Sequence, residues 1–392
     1  MLGRVIRYIR DAFRKCDLIL LLLLVVTTIF GCFAIASATS ASALGPVRYL
    51  VVQIGAALAG IFCFVLVSSV DANFYAEHRL SLVLINIGLL LLLIPFGTDN
   101  GSGNRSWLNF PFLPFDIQPA EICKITFILI MASVMASRQN SLSSPVSIGH
   151  MLLHIGLTFG LNVVISGDLG VSLIFAFVFI VMTFAGGVSI FWYLLAGGGI
   201  AVLAPIIWPF LADYQKNRIL ILFDPNIDPL GIGPKYHSVR AMRSLTGGGL
   251  TGQGLFEGTR TQKNLLAAQH TDFIFAAIGE ELGFIGCAFA MLLLFLIIAR
   301  CVWVGVRSPD YMRRLICFGA AGALIFQIII NVGMCLGVMP VIGLTLPFIS
   351  YGGSSLITLY TMLGLVSGVY ARPTPPSHER YIRPPMNTLR YY

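Results

Sequence analysis

Gln269-His270-Thr271-Asp272-Phe273-Ile274-Phe275-Ala276-Ala277-Ile278-Gly279-Glu280-Glu281-Leu282-Gly283 decides the reading of this 392-residue chain. One histidine and three carboxylates open an apolar run that continues to about Ala299, long enough to cross a bilayer. Ionisable groups at membrane depth are expensive and mark functional sites. In a helix, Glu280 lies about two turns deeper than Asp272 and about 80° round, with Glu281 facing nearly the opposite way. One of the two glutamates then needs a charged or hydrogen-bonding partner. Gly279 and Gly283 form a small-xxx-small face suited to close helix packing.

The rest of the chain fits a membrane setting. It is 57% hydrophobic and 11% charged, against about 25% charged in soluble domains. Apolar runs recur at 18–38, 47–69, 79–96, 117–136, 149–166, 169–186, 190–208, 273–299, 314–338 and 351–370. They predict an all-α polytopic membrane protein of about ten transmembrane helices, with a large extracytoplasmic loop between helices seven and eight. Arg4, Arg7, Arg10, Arg14 and Lys15 before the first run, and small residues from Ala36 to Ala43 after it, imitate a signal peptide. The run is longer than a signal's apolar core and more spans follow, so an uncleaved first helix is expected.

Basic residues select one side. Arg79, Arg138, Arg300, Arg307, Arg313, Arg314 and Arg372 join the N-terminal cluster in alternate loops. This bias predicts that both termini are cytoplasmic. The net charge of +8 then reflects topology and gives no sign of a nucleic-acid partner. The eight cysteines lie in or beside apolar runs without a C-x-x-C pair, which argues against disulfides and a thiolate metal site. One integral membrane domain is expected over 1–372, with outer loops at about 97–116 and 209–272. The Pro-rich tail 373–392 reads as a disordered cytoplasmic segment.

Several groups carry candidate chemistry, each beside a plainer reading. Asp272 at a helix start could cap that helix, or could accept a proton at the membrane edge. Arg105, Trp107, Gln118, Pro119, Glu121 and Lys124 cluster at the first outer loop. Arg105 and Lys124 suit an anionic headgroup such as a pyrophosphate, but Lys124 could equally pair with Glu121 at i,i+3. Ser350, Ser354 and Ser355, around Gly352-Gly353, open the last span where free N–H groups and hydroxyls can hold an anion. Small residues there also permit close packing. Asp168 in Gly167-Asp168-Leu169-Gly170 reads as a helix cap. Gly247, Gly249 and Gly252 match G-x-G-x-x-G without a strand–helix context, and read as a flexible loop. His150 and His154 share a helix face but lack further metal ligands, so no metal site is expected.

Taken together, the motifs resemble the SEDS family of bacterial cell-wall proteins. The stretches that carry the likeness are Gly167–Gly170, Tyr214-Gln215-Lys216-Asn217-Arg218, Phe223-Asp224-Pro225, His270–Phe275 with Glu280–Gly283, and Leu346–Ser355. The 214–218 stretch leans toward the RodA branch. Members usually have Leu-Pro-Glu ahead of His-Thr-Asp, where this chain has Leu266-Ala267-Ala268-Gln269. The resemblance implies a peptidoglycan glycosyltransferase that polymerises lipid II into lipid-linked glycan at the outer face of the bacterial cytoplasmic membrane. It implies a class B penicillin-binding protein as partner. Asp272 corresponds to the family's essential acid, and Arg105, Trp107, Glu121 and Lys124 to functionally important positions. Asp168, Arg218, Glu280, Ser350, Ser354 and Ser355 complete the expected substrate-binding set. No cofactor is firmly expected, and a divalent cation, Mg or Mn, at the pyrophosphate stays open. The competing classes are a lipid II flippase, since charges in a polytopic bundle suit a transport path, and a non-catalytic scaffold for the transpeptidase.

Overall fold

The computed structural model describes residues 16–42, 45–99, 104–111, 113–210, 216, 220, 228 and 235–374. Within them lie α1 (Leu18–Ala38), α2 (Gly45–Ser68), α3 (Arg79–Phe96), α4 (Pro119–Ser137), α5 (Pro145–Ser166), α6 (Leu169–Gly186) and α7 (Ile190–Ile207). They continue with α8 (Tyr236–Gly248), α9 (Ile274–Arg307), α10 (Tyr311–Cys335) and α11 (Gly353–Ala371). Among the described residues, nine of these are long and apolar enough to cross a membrane, and α7 is a shorter apolar helix. The polytopic architecture of about ten spans is therefore as the hydropathy predicts.

Local chemistry sets the helix ends. Asp17 caps α1 by accepting from the Leu20 N–H at 3.1 Å. The fifth span starts at Pro145 and not at 149, because Ser144 Oγ accepts from Ser147 N–H and proline fits the first turn. Gly167, at φ 73°, ends α5 in the left-handed region, and Asp168 immediately caps α6. That two-residue junction separates the fifth and sixth spans. The eighth span runs past 299 to Arg307 because Arg300 is neutralised. Its Nε and Nη2 donate to Asp17 at 2.8 and 3.0 Å, and its guanidinium lies over Trp303.

Helices α4, α10 and α11 form the interior, while α3 and α5 turn most of their surface outward. The most extensive pairing is α2 with α11. Gly60 faces the Tyr360 ring and Gly364 faces the Phe64 backbone, so each helix supplies a small residue where the other bulges. At the opposite end from the long loops, Arg313 is 1% exposed and pairs with Asp71 at 2.7 Å. It ties the start of α10 to the turn after α2.

The large loop departs from the sequence expectation. It contains α8, and its glycine segment is docked against α9. Gly283, at φ 65° and ψ −162°, breaks the helical path of α9. The break leaves backbone groups without their i→i−4 partners, which is costly at membrane depth. Residues 249–254 satisfy them. Gln253 and Gly254 N–H donate to the Glu280 and Glu281 carbonyls, both at 3.0 Å. Phe284 and Ile285 N–H donate to the Gly249 and Leu250 carbonyls at 2.9 and 3.2 Å. The G-x-G-x-x-G match is thus neither a nucleotide loop nor a free one. Gly279 and Gly283 are likewise small for the loop, since a Cβ at either would strike Leu245 or the 250–252 backbone.

Gly283→Ala places a side chain in a left-handed conformation against the Gly252 amide and Leu250 carbonyl. The conformational part alone costs about 1–3 kcal/mol. The purified variant in detergent should melt at lower temperature than the parent; an unchanged melting temperature would contradict the docked break.

Candidate active site

Four helix N-termini meet at the loop-bearing end: those of α4, α6, α9 and α11. Gln118, just before α4, links two others. Its N–H donates to Ser354 Oγ at 3.3 Å, and its Nε2 donates to Asp168 Oδ2 at 3.3 Å. Asp168 Oδ1 accepts from Val171 N–H at 3.1 Å, so it is the expected cap and also faces the site. Helix N-termini carry partial positive charge and unpaired N–H groups, which favours anions at such a junction.

Asp272 lies at the fourth terminus. The capping reading fails for it. The residue flanking α9 is Phe273, and no side chain caps that helix. Instead, Ala268, at φ 47°, turns the chain, and its carbonyl accepts from Thr271 and Phe273 N–H. The Asp272 side chain is thereby left half-buried in the site, beside Gly343. Burial pushes its carboxyl up to about 6, offset by a hydrogen bond from Thr271 and reinforced by the negative charge of Asp168. Burial also raises the Asp168 carboxyl, against the Val171 and Gly170 N–H groups, with Glu121 adding to the rise. The neighbouring His270 is shifted down by burial.

The backbone before Asp272 is held carbonyl by carbonyl. His270 O accepts from Tyr351 N–H at 2.9 Å. Thr271 O accepts from Ser350 Oγ at 2.6 Å, and Asp272 O accepts from Asn331 Nδ2 at 2.8 Å. Gln53 steadies the other strand, donating to Ser350 O and accepting from Gly352 N–H. Tyr49, His270 and Tyr351 pack as a ring triangle over this contact.

The remaining expected residues fall into distinct places. Glu121 and Lys124 are buried, with Nζ 2.8 Å from Oε2, and Thr358 Oγ1 also donates to Glu121 at 3.0 Å. Lys124 is therefore committed to an internal ion pair, while Arg105 is exposed. The two cations do not form one equivalent pair. Trp107 is half-buried in a two-residue strand, β2 (Trp107–Leu108), paired with β1 (Gly97–Thr98). Ser354 accepts from Gln118, whereas Ser355 Oγ is enclosed and has no partner among the described residues. Ser350 donates within the clasp and also accepts from Leu346 N–H at 2.8 Å, so its hydroxyl is committed to the backbone and not presented to a ligand.

Glu280 is fully buried away from the junction. It accepts from Arg260 and Thr261 N–H at 2.8 and 3.0 Å and from Thr261 Oγ1 at 2.7 Å. Its carboxylate anchors the large loop. Glu281 does the same through Gln262 Nε2 at 2.9 Å. Both glutamates thus found partners in one loop, although the helix geometry sends them apart. Arg218 lies outside the described residues. Asn331 and Gln53 were missed; the signal was an amide inside an otherwise apolar span.

These features define a polytopic membrane protein with a desolvated acid at one bilayer edge, framed by helix N-termini. The chain belongs to the FtsW/RodA/SpoVE family of cell cycle proteins, whose family model matches residues 15–373. It is 34% identical over 323 residues to the peptidoglycan glycosyltransferase MrdB of Escherichia coli (strain K12), covering 81% of this chain and 84% of that protein. It is 31% identical to the probable peptidoglycan glycosyltransferase FtsW of Trichlorobacter lovleyi, covering 93% and 96%. Among solved structures, a chain from a study of polymerization and crosslinking by a peptidoglycan synthase complex superposes with TM-score 0.77 at 30% identity, covering 91% of this chain and 97% of that one. The rod shape determining protein RodA of Thermus thermophilus superposes with TM-score 0.66 at 27% identity, covering 91% and 96%.

Removing one partner of a buried ion pair typically costs about 3–5 kcal/mol. Lys124→Ala should therefore lower the melting temperature sharply, and the double variant Glu121→Gln/Lys124→Met should recover most of it. A Lys124→Ala protein as stable as the parent would contradict the internal pair.

Proposed function

We infer that Asp272 is the general base of this peptidoglycan glycosyltransferase, acting on lipid II at the outer face of the bacterial cytoplasmic membrane. The observation that carries the reading is the Asp272 carboxyl itself. It is held in a half-buried junction of helix N-termini, pushed up to about 6, and caps nothing. A base poised near neutral pH is what proton abstraction from a hydroxyl needs.

The reaction joins a GlcNAc 4-hydroxyl to the C1 of a MurNAc that carries undecaprenyl pyrophosphate. Asp272 takes the hydroxyl proton as the oxygen forms its bond to C1. The C1–O bond to pyrophosphate breaks on the opposite face, and the bonding electrons leave with the pyrophosphate, inverting C1. That leaving group needs charge neutralisation more than a proton. Arg105 supplies a cation from the first loop, while the α11 N-terminus supplies donors. The described residues do not make a dedicated divalent-cation site. Among the described residues no three His, Cys, Asp or Glu side chains stand together, and both Asp168 oxygens already accept hydrogen bonds.

The similarity to a chain of a peptidoglycan synthase complex supports a cross-linking partner, a class B penicillin-binding protein. The Lys/Arg bias supports cytoplasmic termini. In a cysteine-free variant, an impermeant thiol reagent on intact cells should label Lys263→Cys and spare Asn140→Cys. The reverse pattern would refute the orientation.

Asp272→Asn tests the base. It keeps the shape and removes the carboxylate, so polymer formation from lipid II should fall by about 10²–10⁴-fold. Stability should move the other way. A carboxyl with a raised folded pKa favours the fold at low pH and loses that contribution as pH rises through about 6. Asp272→Asn should thus melt no lower than the parent at pH 8. Parent-like polymer from the variant on a gel would remove Asp272 as the base.

A further inference from the structure

Asn331, among the described residues of the site, is explained neither by helix packing nor by substrate charge. It lies near the loop-bearing end of α10 and is 0% exposed. Its Nδ2 donates to two carbonyls from separate segments, Asp272 O at 2.8 Å and Leu344 O at 2.7 Å. Both amide protons are therefore committed, and this fixes which side-chain atom is nitrogen. Its Oδ1 has no partner among the described residues. A wholly buried amide with an unpaired oxygen is an expensive way to fill space in an apolar helix. An aliphatic side chain would remove that unpaired oxygen but would strip the Asp272 and Leu344 carbonyls of their donor, so the amide is kept for the carbonyls it holds.

Ser350 makes the matching contact one residue earlier in the chain. Its hydroxyl donates to Thr271 O and accepts from Leu346 N–H. With Tyr351 N–H on His270 O, three consecutive carbonyls are each taken by a different donor. None belongs to the 269–283 stretch itself. The segment that ends in Asp272 has no regular secondary structure to hold it, because α9 begins only at Ile274. Its geometry is set from outside, by α10 and by the 340–351 loop.

We propose that Asn331 and Ser350 are positioning residues for glycosyl transfer, fixing the Asp272 carboxylate by clamping the backbone on which it is carried. The proposal rests on the reading of Asp272 as the base. It reaches beyond that reading by assigning reaction roles to two side chains that touch no substrate. Asn331→Ala releases the Asp272 and Leu344 carbonyls together. Ser350→Ala releases the Thr271 carbonyl and the Leu346 N–H, and keeps the backbone N–H of Tyr351 in place. A displacement of about 1 Å at a reacting group can cost 10²-fold in rate.

The test uses full-length protein in detergent with lipid II, comparing Asn331→Ala, Ser350→Ala, Ser350→Thr and Asp272→Asn. Maximal rate is measured against lipid II concentration, and amide hydrogen exchange is followed in peptides covering 266–276. Asn331→Ala and Ser350→Ala should each lower the maximal rate about 10–100-fold, with half-saturating lipid II within about twofold of the parent. Exchange should quicken at 270–276 and stay unchanged in α4 and α11. Ser350→Thr, which keeps the hydroxyl, should regain most of the rate. Two results overturn the proposal: parent-like rates in both alanine variants, or rate losses accompanied by faster exchange throughout the bundle. If those two variants polymerise normally while Asp272→Asn is inactive, only the positioning role falls. If Asp272→Asn polymerises normally, the base reading falls and takes the positioning role with it.

Discussion

Keeping one carboxylate partly out of water, at the edge of an apolar bundle, is the constraint around which the loop-bearing end is built. Desolvation raises the proton affinity of Asp272. The negative charge of Asp168 adds to that rise, the Thr271 hydrogen bond pulls the other way, and desolvation wins. Such a balance needs a fixed backbone, since a mobile carboxylate would turn toward solvent. The donors from Asn331, Ser350 and Tyr351 provide that fixity. The aromatic triangle of Tyr49, His270 and Tyr351 covers it.

The break in α9 serves the same end. A straight helix from Ile274 would leave no place for the 249–254 backbone. Gly283 opens the hydrogen-bond ladder, and the loop closes it again. Glu280 and Glu281, one turn before the break, hold the 256–262 segment by accepting from its N–H and side-chain donors. The large loop is therefore an integral part of the bundle, pinned beside the helix that follows the proposed base. This also accounts for the burial of both carboxylates.

Much of this was legible in the sequence, and the limits have physical causes. Long apolar runs gave the spans, because backbone groups in a bilayer must be satisfied within a helix. Asp168 was legible as a cap since capping is a contact over three residues. Asp272 invited the same reading and does not follow it. The left-handed turn at Ala268 delays the helix, and no residue pattern announces a positive φ at alanine. The partners of Glu280 are about 20 residues away, and Asp71 and Arg313 are separated by 242 positions. Pairings at such range depend on the assembled bundle. The same holds for Lys124, where spacing alone left ligand binding and the Glu121 pair equally open, and burial decided for the pair.

The pH dependence of the maximal polymerisation rate tests the central claim most directly. Asp168 across the junction adds its negative charge to that of Asp272, and the Cys335 thiol on α10 feels the Asp272 charge in turn. A base must be ionised to work, so the rate should hold above about 6 and fall as pH drops through that value. Asp168→Asn removes the neighbouring negative charge and should move that limb to lower pH. A limb near the ordinary carboxylate range of about 4, or a rate flat from pH 5 to 8, would contradict a desolvated Asp272 as the base.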